Sequence, residues 1–124
     1  MEFKYEFNNI FAKILKKEIP NDSVFETAHS LAFKDINPVA PIHILVIPKG
    51  PYINYDHFAS QASDEEIIDF NKTINEVIKK ENLDPERKGS GYRLIANTGI
   101  NGVQEVPHLH FHIFAGEKIG KMVS

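Results

Sequence analysis

The sequence predicts one α+β domain, built from several antiparallel strands, one long helix and one short helix. Three observations predict this fold class. A chain of 124 residues has room for one hydrophobic core. Its 42% hydrophobic and 25% charged residues are ordinary for a globular protein. Its apolar residues recur at helical spacing in two segments and in short β-branched runs elsewhere. We expect the helices to pack on one face of the sheet.

Two segments have the periodicity of helices. In the short one, Asn8 or Asn9 can be the N-cap, and the apolar face consists of Ile10, Phe11, Ile14 and Leu15. The long one begins with Ser63-Asp64-Glu65-Glu66, a capping-box pattern. Apolar residues then recur at helical spacing, which predicts a helix over 64–82.

Five segments are predicted as strands: 24–26, 31–33, 42–47, 92–97 and 108–115. The run 42–47 is largely apolar and lies between Pro41 and Pro48, which is typical of a central strand. Segments 84–91 and 98–107 are predicted as loops, because the first is polar and both contain glycine. The chain has no repeat and no interdomain linker, so we expect a single domain over 1–124.

Composition excludes several classes of function. A formal net charge of −3 argues against a broad surface for nucleic acid or membrane. The chain has no cysteine, which excludes disulfides, thiolate metal sites and cysteine nucleophiles. Lys13, Lys16 and Lys17 interrupt the N-terminal apolar residues, and no run approaches the roughly 20 residues of a membrane span. We therefore expect a cytoplasmic protein.

The most informative segment is His108-Leu109-His110-Phe111-His112. On a strand, alternate side chains share a face, so the three imidazoles would lie together, about 7 Å apart. Imidazole has an ordinary pKa of about 6.5, so a neutral ring can act as a nucleophile while a neighbour donates to phosphate oxygens. The pattern favours chemistry at phosphorus, with His110 in the middle as the attacking group.

Two other interpretations of these histidines stay open. The histidines could have a purely structural role, but burying several polar rings costs free energy unless each is hydrogen-bonded. His-x-His on a strand is also a zinc pattern, but His108 and His112 would lie about 13 Å apart, too far for one ion. A zinc site formed by His43 and two triad residues remains an alternative. His29 and His57 are interpreted as surface or satisfied core residues.

At these residues the sequence resembles the histidine-triad (HIT) superfamily, and most closely its Hint branch of purine-nucleoside phosphoramidases. The similarity covers about residues 9–116. It extends to Ile10-Phe11-Ala12-Lys13-Ile14, Lys17-Glu18-Ile19-Pro20, the run 31–38, the run 40–49 and Gln104-Glu105-Val106-Pro107-His108. The tail 117–124 has no counterpart that we can place.

The resemblance implies a five-stranded antiparallel sheet with helices, and a homodimer. It also implies an enzyme without a cofactor, which cleaves a purine nucleoside 5′-monophosphate from an amine or another leaving group. His110 matches the nucleophile that forms a nucleotidyl-histidine intermediate. His112 matches the phosphate contact, and His108 and His43 match the supporting histidines. The chain contains neither GxxxxGK[ST] nor GxGxxG, so a glycine-rich phosphate loop is not expected.

The resemblance also implies nucleotide-binding positions. Asp35 matches the acid that accepts ribose hydroxyls, Ile36 the apolar wall, and Phe11 and Ile14 the lining of the base pocket. The phosphate side corresponds to Asn97 and to the loop Val103-Gln104-Glu105, together with His110 and His112. Asp35 has an alternative role in an Asx turn, and Phe11 and Ile14 have one in the core.

The sequence departs from the family pattern at four places. Pro51 replaces a common histidine, Val103 a common glycine, and Glu105 the serine or threonine of some relatives. After the triad, Phe114-Ala115-Gly116-Glu117 replaces a more common Leu-Gly-Gly-Arg. If Glu105 faces the leaving group, an amine suits it better than an anion. A second hypothesis is a nucleotide-binding or partner-binding module with vestigial activity.

Overall fold

Five antiparallel strands form one sheet in the computed structural model, which describes residues 3–123. The strands are β1 (Ser23–Glu26), β2 (Ser30–Lys34), β3 (Ile42–Pro48), β4 (Arg93–Ala96) and β5 (Phe111–Ala115). Their order across the sheet is β1-β2-β3-β5-β4. This confirms the predicted sheet, and β3 lies at its centre as the run between two prolines predicts. Residues 1, 2 and 124 of the predicted domain lie outside the described residues.

The helices are α1 (Ile10–Leu15), α2 (Tyr55–Gln61), α3 (Asp64–Lys80) and α4 (Gly99–Gly102), with a 3₁₀ turn at Pro85–Arg87. Asn9 caps α1, accepting from the Ala12 N–H at 2.9 Å. The capping box of α3 is present: Ser63 Oγ accepts from the Glu66 N–H, and the Glu66 carboxylate accepts from the Ser63 N–H. The segment of α2 had no predicted element, and α4 lies where we predicted only a loop.

The helices cover both faces of the sheet, so the prediction of a single covered face is wrong. α3 and α2 pack through Phe58 and Phe70 on the face that carries Ile44 and Val46. α1 packs on the opposite face, where its side chains meet Leu31, Phe33, Leu45 and Ile47. The reason lies in β3, which is apolar on both faces and therefore requires cover on each side.

β5 begins at Phe111, three residues later than the predicted strand over 108–115. Its ladder with β3 ends at the pair Val46–Phe111. Beyond this pair, the Pro48 carbonyl accepts from the His108 ring, and the Leu109 N–H donates to the Tyr52 carbonyl. Pro48, at the end of β3, has no N–H with which to continue the ladder. The segment before Phe111 therefore makes its hydrogen bonds outside the ladder.

Within residues 3–123, no helix combines the length and apolar character needed to cross a bilayer.

Candidate active site

A cavity of about 560 Å³ opens between α1, the sheet and the loop before β5. We call it the histidine cavity. Most of the predicted site residues line it: Phe11, Ile14, Asp35, Ile36, His43, Asn97, Val103, Glu105, His110 and His112. Two predicted residues do not line it, namely His108 and Gln104. The structure therefore brings together side chains from α1, β3 and β5, and from the segments that follow β2 and β4 and precede β5. These side chains lie up to about a hundred residues apart in the chain.

Strand alternation places the histidines on the face that α1 covers. On β3, His43 and Leu45 share this face, while Ile44 and Val46 face α3. His112 lies opposite Leu45 in the β3–β5 ladder, so it points to the same side as His43. The ring centroids of His110 and His112 are 5.0 Å apart, and those of His43 and His112 are 5.2 Å apart.

His110 has a defined tautomer. Its Nδ1 lies 2.8 Å from the main-chain carbonyl oxygen of His108. A carbonyl can only accept, so the neutral ring carries its hydrogen on Nδ1 and keeps the lone pair on Nε2. The edge of the Phe11 ring packs on His110, and only 7% of His110 is exposed. The structure thus holds one neutral imidazole nitrogen with a free lone pair at the wall of the cavity.

His43 and His112 form a second chain of hydrogen bonds. The Val39 N–H donates to His43 Nδ1 at 3.2 Å, so His43 carries its hydrogen on Nε2. His43 Nε2 lies 3.0 Å from His112 Nδ1, which accepts from it. His112 therefore carries its own hydrogen on Nε2. Because His112 lines the cavity, this arrangement supplies an N–H donor next to His110.

Burial keeps these rings neutral near pH 7. Burial lowers the pKa of His108 to about 4, and it lowers the pKa of His112 to about 4 with help from the neighbouring histidines. Burial also lowers the pKa of His110 and of His43, while the nearby Asp35 carboxylate opposes the shift in both. A neutral His110 is the form that can attack phosphorus.

These lowered pKa values predict a loss of stability in mild acid. Between about pH 6.5 and pH 4 the unfolded chain binds protons that the folded His108 excludes, so the free energy of unfolding decreases as pH falls. For His108, which is fully buried, the slope is about 1.4 kcal/mol per pH unit.

Urea unfolding at pH 7.5, 6.5 and 5.5 measures this dependence of the unfolding free energy on pH. The His108→Gln variant should lose part of the slope, whereas His29→Gln, at a more exposed position, should keep it. An unfolding free energy independent of pH over this range would contradict the prediction.

The Asp35 carboxylate makes the predicted Asx turn and also contacts His43, whereas its ribose-binding role stays a prediction. Its Oδ1 accepts from the Asn37 N–H at 2.8 Å, which is the Asx turn. Its Oδ2 lies 3.4 Å from His43 Nε2, at the cavity. Ile36, which follows in the turn, is 81% exposed at the mouth of the cavity. Phe11 and Ile14 are buried core residues, as their helical spacing predicts, and they also line the cavity. Their role in binding a base stays a prediction.

The loop before β5 has a strained residue at the cavity. Val103 ends α4 with φ 55° and ψ 53°, a left-handed conformation in which a β-branched residue is an outlier. This conformation gives a physical reason for the glycine that the family pattern has there. The Gln104 amide donates to the carbonyls of Ile53 and Val106, so its side chain holds the loop and does not enter the cavity. Glu105 is exposed and lines the cavity.

Asp35, His43 and His112 are close enough to be considered as metal ligands, with one ligand atom from each within 4.8 Å of the others. The hydrogen bonds fit a metal poorly. His43 accepts at Nδ1 from the Val39 N–H and so carries hydrogen on Nε2, the nitrogen that faces the cluster. To ligate there, the ring would have to move its hydrogen to Nδ1 and break the Val39 bond. Two ligands would remain, fewer than the three or four protein ligands of zinc sites.

The sequence analysis did not identify several residues of the site. Leu45 and Phe33 form part of the cavity wall, and strand alternation from His43 could have found Leu45. Tyr5, whose hydroxyl contacts His108 Nδ1, had no signal in the sequence. Its partner is 103 residues away along the chain, and only the tertiary structure joins them.

Comparison with known proteins identifies the family of this chain. The profile of the HIT domain matches residues 16–119. An uncharacterized 13.2 kDa HIT-like protein of Azospirillum brasilense is 48% identical over 97% of this chain and 95% of its own length. A 14 kDa zinc-binding protein of Zea mays is 40% identical over 89% of this chain and 83% of its own length. The crystal structure of a HIT family hydrolase from Legionella pneumophila matches with a TM-score of 0.82 at 33% identity, over 94% of this chain and 100% of that one. These matches show that the chain, with its five-stranded sheet and histidine cavity, belongs to the HIT-domain family.

Proposed function

We propose that this protein is a nucleotide phosphoramidase, which cleaves a purine nucleoside 5′-monophosphate from an amine through a nucleotidyl-histidine intermediate. One observation carries the proposal: the His108 carbonyl holds the hydrogen of His110 on Nδ1, and the free lone pair on Nε2 belongs to a ring that lines a cavity. A neutral imidazole held in this way is a competent nucleophile toward phosphorus.

The reaction proceeds in two displacements. In the first, His110 Nε2 forms a bond to phosphorus while the bond from phosphorus to the leaving nitrogen breaks, and that nitrogen takes up a proton as it departs. In the second, water delivers a hydroxyl to phosphorus, the bond to Nε2 breaks and a proton is released. The sum is phosphoramidate plus water giving nucleoside monophosphate plus amine. His112 donates from Nε2–H to a non-bridging oxygen in both steps.

The remaining cavity residues suit a nucleoside. Phe11, Ile14 and Ile36 provide apolar surface for a base, and the Asp35 carboxylate provides acceptors for ribose hydroxyls. Asn97 and Glu105 lie at the same cavity, where the phosphate and the leaving group are proposed to bind. Shape alone separates adenine from guanine weakly in such an apolar pocket, so we propose a purine nucleotide without choosing between them.

We also propose that the protein acts as a homodimer, as the family resemblance implies. β4 is an edge strand of the sheet and exposes Leu94, with Tyr92 exposed just before it. An unpaired edge with apolar side chains is a surface on which a second chain can add. We propose that the protein is cytoplasmic and that its small-molecule partner is a nucleotide. We propose no nucleic-acid or membrane partner.

Hydrolysis of adenosine 5′-phosphoramidate tests the proposal. We expect the purified protein to release AMP, and we expect intact mass spectrometry after rapid quench to detect protein carrying one added AMP. Parallel assays with the guanosine compound and with alkyl and aminoacyl phosphoramidates measure base and leaving-group preference. A protein that binds AMP but hydrolyses none of these compounds would support the alternative of a binding module with vestigial activity.

Removal of metal separates this mechanism from a zinc-dependent hydrolase. The relative from Zea mays is described as zinc-binding. Within residues 3–123 of this chain, the one group of side chains close enough to hold a metal is Asp35, His43 and His112, and the hydrogen bond of His43 with Val39 opposes a metal there. We expect protein dialysed against EDTA, with its metal content verified by mass spectrometry, to keep its full rate. A loss of activity that added zinc restores would contradict the metal-free mechanism.

A further inference from the structure

We propose that Tyr5 is a positioning residue for His110, which acts through the ring and main chain of His108. Tyr5 lies in the segment before α1, and its hydroxyl is in hydrogen-bond contact with His108 Nδ1. Tyr5 is not part of the wall of the histidine cavity, so it has no direct contact with a bound nucleotide there. The inference rests on the proposed function only in naming His110 as the nucleophile.

The His108 ring is bonded at both nitrogens. Its Nε2 lies 2.8 Å from the Pro48 carbonyl oxygen, which can only accept, so the hydrogen of the neutral ring is on Nε2. Nδ1 therefore presents a lone pair, and the Tyr5 hydroxyl donates to it. No part of His108 is exposed to solvent. The ring is thus held between β3 on one side and the N-terminal segment on the other.

The main chain of the same residue orients the nucleophile. The His108 carbonyl accepts from His110 Nδ1 at 2.8 Å, and this bond both selects the tautomer of His110 and aims its Nε2. The segment 108–110 lies outside the β3–β5 ladder, so strand pairing does not hold this carbonyl in place. Two main-chain bonds, from the His108 N–H to Val106 and from the Leu109 N–H to Tyr52, and the two bonds of the His108 ring hold it instead.

Loss of the Tyr5 hydroxyl leaves a buried lone pair on His108 without a donor. The ring can then rotate or admit water, and either change weakens the restraint on the His108 carbonyl to which His110 is bonded. A small displacement of a reacting group lowers the rate without removing the binding surface. Tyr5 also packs against the Phe7 and His108 rings. Phenylalanine at position 5 keeps an aromatic ring for this packing and removes only the hydroxyl.

The Tyr5→Phe variant tests the role of the hydroxyl. With adenosine 5′-phosphoramidate we expect kcat to fall by about tenfold, comparable to the smaller losses on mutating outer hydrogen-bond partners of metal ligands. We expect KM and the Kd of AMP to change less than about twofold, because the cavity wall is untouched. Tyr55→Phe removes a hydroxyl from a half-exposed tyrosine on α2 and is the matched control, with an unchanged kcat. An unchanged kcat in folded Tyr5→Phe, or an equal loss in Tyr55→Phe, would overturn the proposal.

Nuclear magnetic resonance of the histidine side chains tests the same contact without any assay. In the wild-type protein, long-range ¹H–¹⁵N spectra should show His108 with hydrogen on Nε2 and with Nδ1 as an acceptor. In Tyr5→Phe, the Nδ1 resonance should move toward that of a free ring nitrogen, and the His110 ring resonances should broaden or shift. Wild-type spectra with hydrogen on His108 Nδ1 would overturn the proposal even if the variant did not fold. A wild-type protein without phosphoramidase activity but with the expected spectra would instead refute the proposed function alone.

Discussion

Replacing His110 with asparagine is expected to lower the turnover of adenosine 5′-phosphoramidate by about 10⁴-fold or more, which corresponds to about 5.5 kcal/mol of transition-state stabilisation. The asparagine amide can still donate to the His108 carbonyl, as His110 Nδ1 does at 2.8 Å. It has no nitrogen lone pair with which to attack phosphorus. The variant therefore keeps the hydrogen bond and removes the nucleophile.

Binding should survive this substitution. The apolar wall of Phe11, Ile14 and Ile36 and the Asp35 carboxylate remain in the cavity. We expect titration calorimetry to give a Kd for AMP within a fewfold of the wild-type value, and thermal unfolding to show a folded protein. Mass spectrometry after rapid quench should find no covalent AMP on the variant. His110→Ala serves as a second variant without any side-chain nitrogen. Turnover within about tenfold of wild type in either variant would refute the assigned nucleophile.

The second large effect is expected from His112→Phe, which keeps an aromatic ring beside Phe114. The substitution removes the Nε2–H donor and also the Nδ1 that accepts from His43. Loss of one donor to a developing oxyanion costs about 10²- to 10³-fold in kcat. Because we propose that the same donor contacts the bound phosphate, the affinity for AMP should decrease as well. His29→Phe is the control, because His29 lies beside the exposed Glu65 and does not line the histidine cavity.

The two variants differ in what they preserve, and this difference makes the assignment of roles testable. His110→Asn should lose chemistry and keep AMP binding, whereas His112→Phe should lose part of both. His112→Phe should also still form the covalent intermediate at a reduced rate, because His110 retains its Nε2 lone pair. If His112→Phe abolished the intermediate and His110→Asn retained it, the roles of the two histidines would be exchanged.

Local sequence patterns predicted most of the fold. The capping box at Ser63–Glu66 predicted the start of α3, and the apolar run between Pro41 and Pro48 predicted a central strand. These predictions are confirmed because caps and strand alternation depend on residues a few positions apart. The burial of both faces of β3 was already visible in the same run, although we expected helices on one face only. The short α4 could not be predicted from a glycine-rich segment that also resembles a turn.

The sequence by itself determined which residues could face a common cavity. The shared face of His43 and Leu45 on β3, and that of His112 and Phe114 on β5, follow from the period of a strand. His110 lies just before β5, outside the ladder, and lines the same cavity as His112. Only the tertiary structure decided what each imidazole can do there. The hydrogen positions on His43, His108 and His110 depend on the Val39 N–H, the Pro48 carbonyl and the His108 carbonyl. The physical reason is that a neutral imidazole has one donor and one acceptor nitrogen, and folding brings up the partner that selects between them. For His108 this partner is the Pro48 carbonyl, which lies 60 residues away along the chain.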